Sequence, residues 1–456
     1  METYRYIYYI KLVHMFSYPV RIALIAAMGG FLFGFETAVI SGAEKTIQQL
    51  WSLTPFWQGF TVASSLIGTV LGSIVAGFPA KKFGRKKVLT VIAVMYLISA
   101  IGCASVSLWL LFISFRFIGG IAVGASSVVG PMYISEISPA QLRGRLAGSF
   151  QLNVVTGIFV ALLTNFLFLH IGENSWRWML GIMVVPAGLF WMLLRFIPES
   201  PRWLILNDRE QEAIPIMERI GESDTKKAIE NIRASVSAHA ENLFQKKYSK
   251  PILYAVLLAM FNQLSGINAI FYYAPRIFEM AGFDKSHSFL QPVYIGAANL
   301  FFTLLAMTMI DRFGRKTLLL IGSVGMILFL ALTGLSLSHV GSDNGNLVLY
   351  LIGFIAFFAF SQGAVVWVFI SEIFPNSVRS QGGSLGSFTH WIMAAVISWV
   401  FPSIAKIVVG DVHTGVVNAF YFFSVMMMVH LVFVWKVMPE TKGRSLETIQ
   451  KELGIS

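Results

Sequence analysis

"YISEISPAQLRG" (133–144) and "FISEIFPNSVRS" (369–380) are near copies of one another, and each stands at the end of a long apolar run. Two more pairs keep the same order: "KKFGRKK" (81–87) is echoed by "DRFGRK" (311–316), and "PESPRW" (198–203) by "PETKGRSLE" (439–447). Three matched pairs at similar offsets describe a chain of two parallel halves. Such repeats build transporters that rock one half against the other around a central site. Neither a channel nor a receptor needs two matched bundles.

Between these loops the chain is made for lipid. Of 456 residues, 56% are hydrophobic and 12% charged, with a mean hydropathy of +0.70; an average soluble domain is about 25% charged. A chain this apolar cannot present a wetted surface all round. A span needs about 20 mainly apolar residues. Twelve runs qualify: 20–43, 56–78, 88–106, 108–134, 146–170, 178–197, 252–278, 290–310, 318–339, 347–370, 384–409 and 415–438. The expected fold is an all-α membrane protein of twelve transmembrane helices in two six-helix bundles. The expected units are a first bundle (1–197), linker helices (198–250), a second bundle (251–438) and a tail (439–456).

The net charge of +11 is gathered in short clusters between apolar runs. That pattern marks cytoplasmic loops rather than a nucleic-acid surface. "KKFGRKK", "LRGR" (142–145), the segment 198–250, "DRFGRK", "NSVRS" (376–380) and the tail lie on one side; the loops 44–54, 170–177, 279–289, 340–346 and 410–414 are sparse in positive charge. An even number of spans puts both termini in the cytoplasm. The first 21 residues lack a continuous apolar core with a small-residue cleavage site and read as a short cytoplasmic arm. The single cysteine, Cys103, cannot form an internal disulfide and reads as a small core residue. Within 198–250, "DREQEAIPIMERIGES" and "DTKKAIENIRASVSAHAENLFQKK" read as amphipathic helices, either a plain linker or a latch between halves. The glycine pairs Gly68/Gly72, Gly120/Gly124 and Gly382/Gly386 have the spacing of close helix packing.

In the basic loops, Glu136 with Arg143 and Glu372 with Arg379 place an acid at a span's end and an arginine shortly after; Arg85 and Arg315 sit in the other pair of loops. Acids and guanidiniums at facing helix ends can form bidentate pairs. They would close the cytoplasmic side while the protein faces out. Topology signalling alone accounts for the Lys and Arg but not for the repeated Glu.

At about 1.5 Å per residue, Asn262 and Gln263 on span 7, Asn299 on span 8, and His390 and Trp391 on span 11 fall near the middle of a core about 30 Å thick. Neutral amides both donate and accept, which suits the hydroxyls of a neutral ligand; an indole face suits an apolar C–H face. The alternative for each is a hydrogen bond between helices.

Glu36 stands in "GGFLFGFETAVISGA" (29–43), the one acid in an apolar run. It lies about 22 Å up span 1 from Arg21, and Arg116 about 12 Å down span 4 from Leu108, so the two depths match. An unpaired charge at that depth is costly. Aligning Glu136 with Glu372 sets Ile352 opposite Arg116, so the pair breaks the repeat.

These stretches, with "RFIGGIAVG" (116–124), "NQLSGINAIFYYAP" (262–275) and "WVFISEIFPNSVR" (367–379), resemble the sugar porter family of the major facilitator superfamily, in order and over nearly the whole chain. The resemblance implies sugar contacts from Gln151, Asn262, Gln263, Asn268, Asn299, Trp367 and Trp391, and an outer closure by Tyr272 and Tyr273. It implies a monosaccharide substrate and a monomer in an inner or plasma membrane. The chain departs from the family at several positions. Lys81 stands where an acid or Asn is usual, while the second copy keeps Asp311; Ile158 replaces a Gln of xylose-type symporters; Asn262-Gln263 replaces a Gln-Gln pair. Symporters carry Asp where this chain has Glu36, passive carriers a neutral residue, and a second acid of some symporters is matched by Val184.

The expected mechanism is proton–sugar symport. Glu36 takes a proton from outside and releases Arg116, sugar binds between the halves, the bundle closes outside and opens inside, and Arg116 then helps expel the proton. A passive facilitator with a static Glu36–Arg116 pair is one alternative. A membrane sugar sensor is another, although a long signalling tail is not seen after "PETKGRSLE". The eight histidines are scattered, and "GRKKVLT" and "GRKTLLL" lack P-loop glycine spacing, so no enzyme, metal, cofactor or ATP-driven step is expected.

Overall fold

The computed structural model describes residues 18–139, 141–222, 224–234, 241–338, 344–407, 412–444 and 446–455. The arm expected over the first residues lies outside them, as do parts of the loops 340–346 and 410–414 and the side chain of Asp311. Twelve helical segments among the described residues are long and apolar enough to cross a membrane. Spans 1–6 are Tyr18–Gly42, Pro55–Val75, Arg85–Ser105, Trp109–Glu136, Arg143–Phe168 and Ser175–Phe196. Spans 7–12 are Lys246–Met280, Lys285–Ile310, Arg315–Ser338, Asn346–Ile373, Arg379–Ile404 and Thr414–Lys436. Phe78, Val91, Leu110, Val185, Leu349 and Trp435 are more than half exposed on this apolar exterior, as a protein solvated by hydrocarbon requires.

Spans 3, 5, 9 and 11 start on Arg85, Arg143, Arg315 and Arg379, several residues before the apolar runs begin. For spans 3 and 9 the reason is local. The Glu199 carboxylate accepts the backbone N–H groups of Arg85 (2.8 Å) and Lys86 (3.1 Å). Glu440 accepts those of Arg315 and Lys316, both at 3.0 Å. An anion at a helix N-terminus satisfies otherwise orphaned donors and the helix dipole. Gly84 (φ +95°) and Gly314 (φ +90°) precede these starts, and a methyl on either would strike the capping carboxylate, at 2.2 and 2.7 Å. The repeated "FGRK" is thus a helix start that needs its glycine.

Small residues let the spans touch backbone to backbone. A methyl on Gly120 would lie 1.8 Å from the Ser65 carbonyl oxygen, and on Gly68 2.2 Å from that of Phe117, so spans 2 and 4 meet as the glycine spacing suggests. Gly382 and Gly386 pack on Phe374 and Ile370.

Three spans are broken where the run of sequence reads as continuous, and span 6 is one of them, as Ser175–Gly181 and Val184–Leu193. Span 7 is Ser249–Leu264 followed by Ile267–Met280. The break falls at Gly266, whose φ of +82° and contact with the Phe423 ring leave no room for a side chain. Span 10 breaks at Ser361 (φ −109°, ψ −95°) before Gln362 restarts the helix. Irregular backbone at membrane depth is tolerated where protein surrounds it or a cavity lies beside it.

Between the sixes, helices Pro201–Leu206, Glu210–Ile220 and Thr225–Ala234 bury their own small core of Trp203, Leu204, Ile205, Ala213, Met217 and Ile229. The segment touches both halves. The Trp203 indole donates to the Lys81 carbonyl (2.8 Å), while the Leu243 N–H donates to the Gln381 side chain (3.0 Å).

Candidate functional site

At the end bearing the basic loops, each half holds one charge cluster of the same design. In the first, Arg85 donates to Glu136 Oε1 (2.9 Å) and to the Ala80 carbonyl, and the Ser200 hydroxyl donates to Glu136 Oε2 (2.6 Å). In the second, Arg315 donates to Glu372 Oε1 (2.9 Å) and to the Ile310 carbonyl, and the Thr441 hydroxyl donates to Glu372 Oε2 (2.6 Å). Of the candidate arginines, Arg85 and Arg315 are the ones that meet the acids. Each pair has one N–H on the carboxylate rather than a bidentate fork, because a hydroxyl occupies the second oxygen. Each pair lies within one half. Arg379 is half-buried with its Nε on the Phe374 carbonyl (3.3 Å). Arg143 is exposed and makes no ion pair among the described residues.

In the interior, Arg116 Nη1 lies 2.5 Å from Glu36 Oε1, with side chains 1% and 4% exposed. The Ser65 hydroxyl reaches the same oxygen at 3.5 Å. Gly119 makes the pairing possible, since a methyl there would stand 2.4 Å from Ser99 Oγ and 3.0 Å from Glu36 Oε1. Ile352, opposite Arg116 in the repeat, cannot form such a pair.

On the second half an amide cluster is assembled around Gln263. Its Nε2 donates to Asn262 Oδ1 (2.9 Å) and meets the His390 ring at 3.1–3.2 Å, while its Oε1 accepts from Asn268 Nδ2 (2.7 Å). Asn262 donates to the Gln362 carbonyl (3.4 Å) at the break in span 10. Trp367 and Trp391 flank His390 with centroids 4.8 Å away, and Phe33 of span 1 covers Trp391 at 5.4 Å. The break at Gly266 is what sets Asn262-Gln263 and Asn268 on separate helices within reach of one another. Gln151 (half-buried) and Asn299 (5% exposed) make no hydrogen bond to a described residue.

At the end opposite the basic loops, within the second half, the Tyr273 hydroxyl of span 7 donates to the Ser398 carbonyl of span 11 (3.0 Å) and its ring stacks on Phe401. The halves themselves meet at this same end. A methyl on Gly59 would lie 1.9 Å from the Trp399 carbonyl oxygen, so spans 2 and 11 touch across the halves. Two ion pairs also cross, Lys45 with Glu279 and Arg276 with Glu44. Sequence reading missed this pairing because the partners lie more than 200 positions apart. No group of three or more His, Cys, Asp or Glu among the described residues could hold a metal ion.

Two helical bundles, matched loop clusters and a polar interior between them define a secondary transporter of the major facilitator type. The family model "Sugar (and other) transporter" matches residues 22–453, and the chain belongs to that family. It is 35% identical to the arabinose-proton symporter of Bacillus subtilis over 449 residues, covering 96% of each chain. It is 34% identical to the D-xylose-proton symporter of Escherichia coli, covering 95% of each. Its fold matches the inward-open conformation of the xylose transporter XylE from E. coli with a TM-score of 0.85, at 32% identity over 95% of this chain and 100% of that one. The match to XylE bound to 6-bromo-6-deoxy-D-glucose has a TM-score of 0.79, covering 96% of this chain and 99% of that one.

Proposed function

We propose that this protein imports a monosaccharide, a pentose or hexose, together with a proton by alternating access. The observation that carries the reading is the buried Arg116–Glu36 pair, for which the second half has Ile352 in place of the arginine. A titratable acid with no access to bulk water is useful when its charge changes in the cycle. Protonation of Glu36 removes the countercharge of Arg116 and loosens spans 1 and 4.

The division into bundles 1–197 and 251–438, linker 198–250 and tail 439–456 belongs to this reading, as does a monomer in the inner or plasma membrane. Basic loops stay inside, so the basic end is cytoplasmic and both termini lie there. The sugar sits between the halves against Asn262, Gln263 and Asn268, with Gln151 and Asn299 offering free amides and Trp367 and Trp391 their ring faces. His390, fixed on Gln263, joins them. Tyr272 and Tyr273 close the outer path. Arg85, Glu136, Arg315 and Glu372 hold the cytoplasmic helix ends in register as they move; Arg143 and Arg379 serve there as flanking positive charge. The conformation supports an inward-facing state, since the cross-half ion pairs and the approach of Gly59 to the Trp399 carbonyl all lie at the outer end.

The test is uptake of labelled arabinose, xylose, glucose and galactose into proteoliposomes. Accumulation above equilibrium under an inward proton gradient, lost when the gradient is collapsed, is the expected result. Equilibration to one level regardless of the gradient would mean a passive carrier.

A further inference from the structure

Glu44 begins the short helix Glu44–Leu50 after span 1, outside the membrane spans, yet its side chain is only 1% exposed. A carboxylate can be buried when its charge is met and its oxygens are hydrogen bonded. Both conditions are fulfilled here, but from different sources. The Gln58 amide donates from span 2, inside the same half. The positive charge comes from Arg276 on span 7, in the other half, 3.4 Å away, with Gln48 accepting from the same guanidinium nitrogen at 3.0 Å. The remaining groups that face Glu44 are Lys45 on its own helix and Glu279 and Tyr273 on span 7. Lys45 and Glu279 pair with each other, and the Lys45 side chain is half exposed, so solvent screens that pair and it adds little.

We propose that Glu44 and Arg276 form a charge check on closure of the outer gate: an ionised Glu44 can be buried only when Arg276 arrives from the opposite half. Glu44 is then a second proton-responsive acid of the transport cycle, separate from Glu36. The inference rests on the alternating-access reading, because the contact joins the two halves and exists only while the outer end is shut.

The sign follows from linkage. Burial pushes the Glu44 carboxyl up from its ordinary value, opposed by Arg276 and the Gln58 amide. With the gate open, Glu44 faces water and keeps its ordinary value. The closed state therefore binds a proton more readily, and acid favours closure. Removing Arg276 removes the opposition, so closure then depends on protonating Glu44. Removing the charge of Glu44 makes Arg276 dispensable.

The experiment measures distance between spin labels at the outer end of the full-length protein in lipid. The labels sit on Gln49→Cys and Lys285→Cys, exposed positions on opposite halves, in a Cys103→Ser background. In Arg276→Gln the ratio of long to short distances is expected to rise roughly tenfold at about pH 8 and to fall back towards wild type at about pH 5. The double variant Glu44→Gln/Arg276→Gln should lose that rise and show the same low ratio at both pH values. Recovery by that double substitution is an outcome that lost packing around Arg276 would not give. An Arg276→Gln ratio that stays at the wild-type value, or a double variant as open as the single, overturns the check. A wild type fixed at one outer distance with or without sugar overturns alternating access itself, and the check with it.

Discussion

The two charged regions of this protein are built on opposite principles. At the end bearing the basic loops the clusters Arg85–Glu136–Ser200 and Arg315–Glu372–Thr441 repeat almost atom for atom, each with a capping acid, Glu199 or Glu440. In the interior the Glu36–Arg116 pair occurs once, with Ile352 where the second half would place its arginine. What the halves share is architecture, because both must hold the same helix ends while they rotate. What one half alone possesses is work that the fold does not require.

Removing half of the unrepeated pair should have the largest effect. Arg116→Leu leaves Glu36 buried and unpaired, and a stranded buried charge typically costs about 3–5 kcal/mol. Thermal melting in detergent should show that loss, and Arg116→Leu/Glu36→Leu should recover most of it. A single variant as stable as wild type would mean that water reaches Glu36.

The repeated clusters should respond in parallel but unequally. In the first, Arg85 and Glu136 are 10% and 9% exposed; in the second, Arg315 and Glu372 are 12% and 27%. Arg85→Ala should destabilise by about 2–3 kcal/mol and Arg315→Ala by about 1–2 kcal/mol, the difference reflecting water at Glu372. Equal losses would show that solvent exposure of the acid is irrelevant.

The capping acid gives a smaller, pH-dependent effect. Desolvation works against the Glu440 carboxylate, yet N–H donors from Lys442, Arg315, Lys316 and Thr441 hold it below its ordinary value. A depressed acid contributes stability above its unfolded value, about pH 4.3 for Glu, and loses it as pH falls through the folded one. Wild type should therefore melt above Glu440→Gln near neutrality, with the gap closing below about pH 4. A gap unchanged at pH 3 would assign the effect to packing.

Arg143→Ala should do least, within about 0.5 kcal/mol, since the side chain is exposed and makes no ion pair among the described residues. A larger loss of stability would restore Arg143 to the helix-end cluster.

Much of this was legible in the sequence for one reason: lipid imposes length and composition on every span, and repeated loops reveal the halves. The Glu36–Arg116 pair was legible because helical rise converts position into depth, and an acid at that depth demands a partner. Glu136 was harder. Arg143 follows it in sequence and Arg85 stands in another loop, and nothing local decides between them; Arg85 arrives at the carboxylate while Arg143 is exposed. The break at Gly266 was hidden because a single glycine in an apolar run is compatible with an unbroken helix; only the crowding by Phe423 shows why no other residue fits. The cross-half contact of Glu44 with Arg276 left no local signal, since neither residue has a partner within its own helix and the pairing depends on how the bundles close.

The central claim is that Glu36 couples sugar movement to the proton. The most direct test is Glu36→Gln in proteoliposomes, comparing gradient-driven accumulation with sugar exchange at equal concentrations on both sides. Coupling through Glu36 predicts that exchange persists while accumulation disappears. Accumulation at wild-type levels in Glu36→Gln would contradict it and leave Glu36 as a structural partner of Arg116.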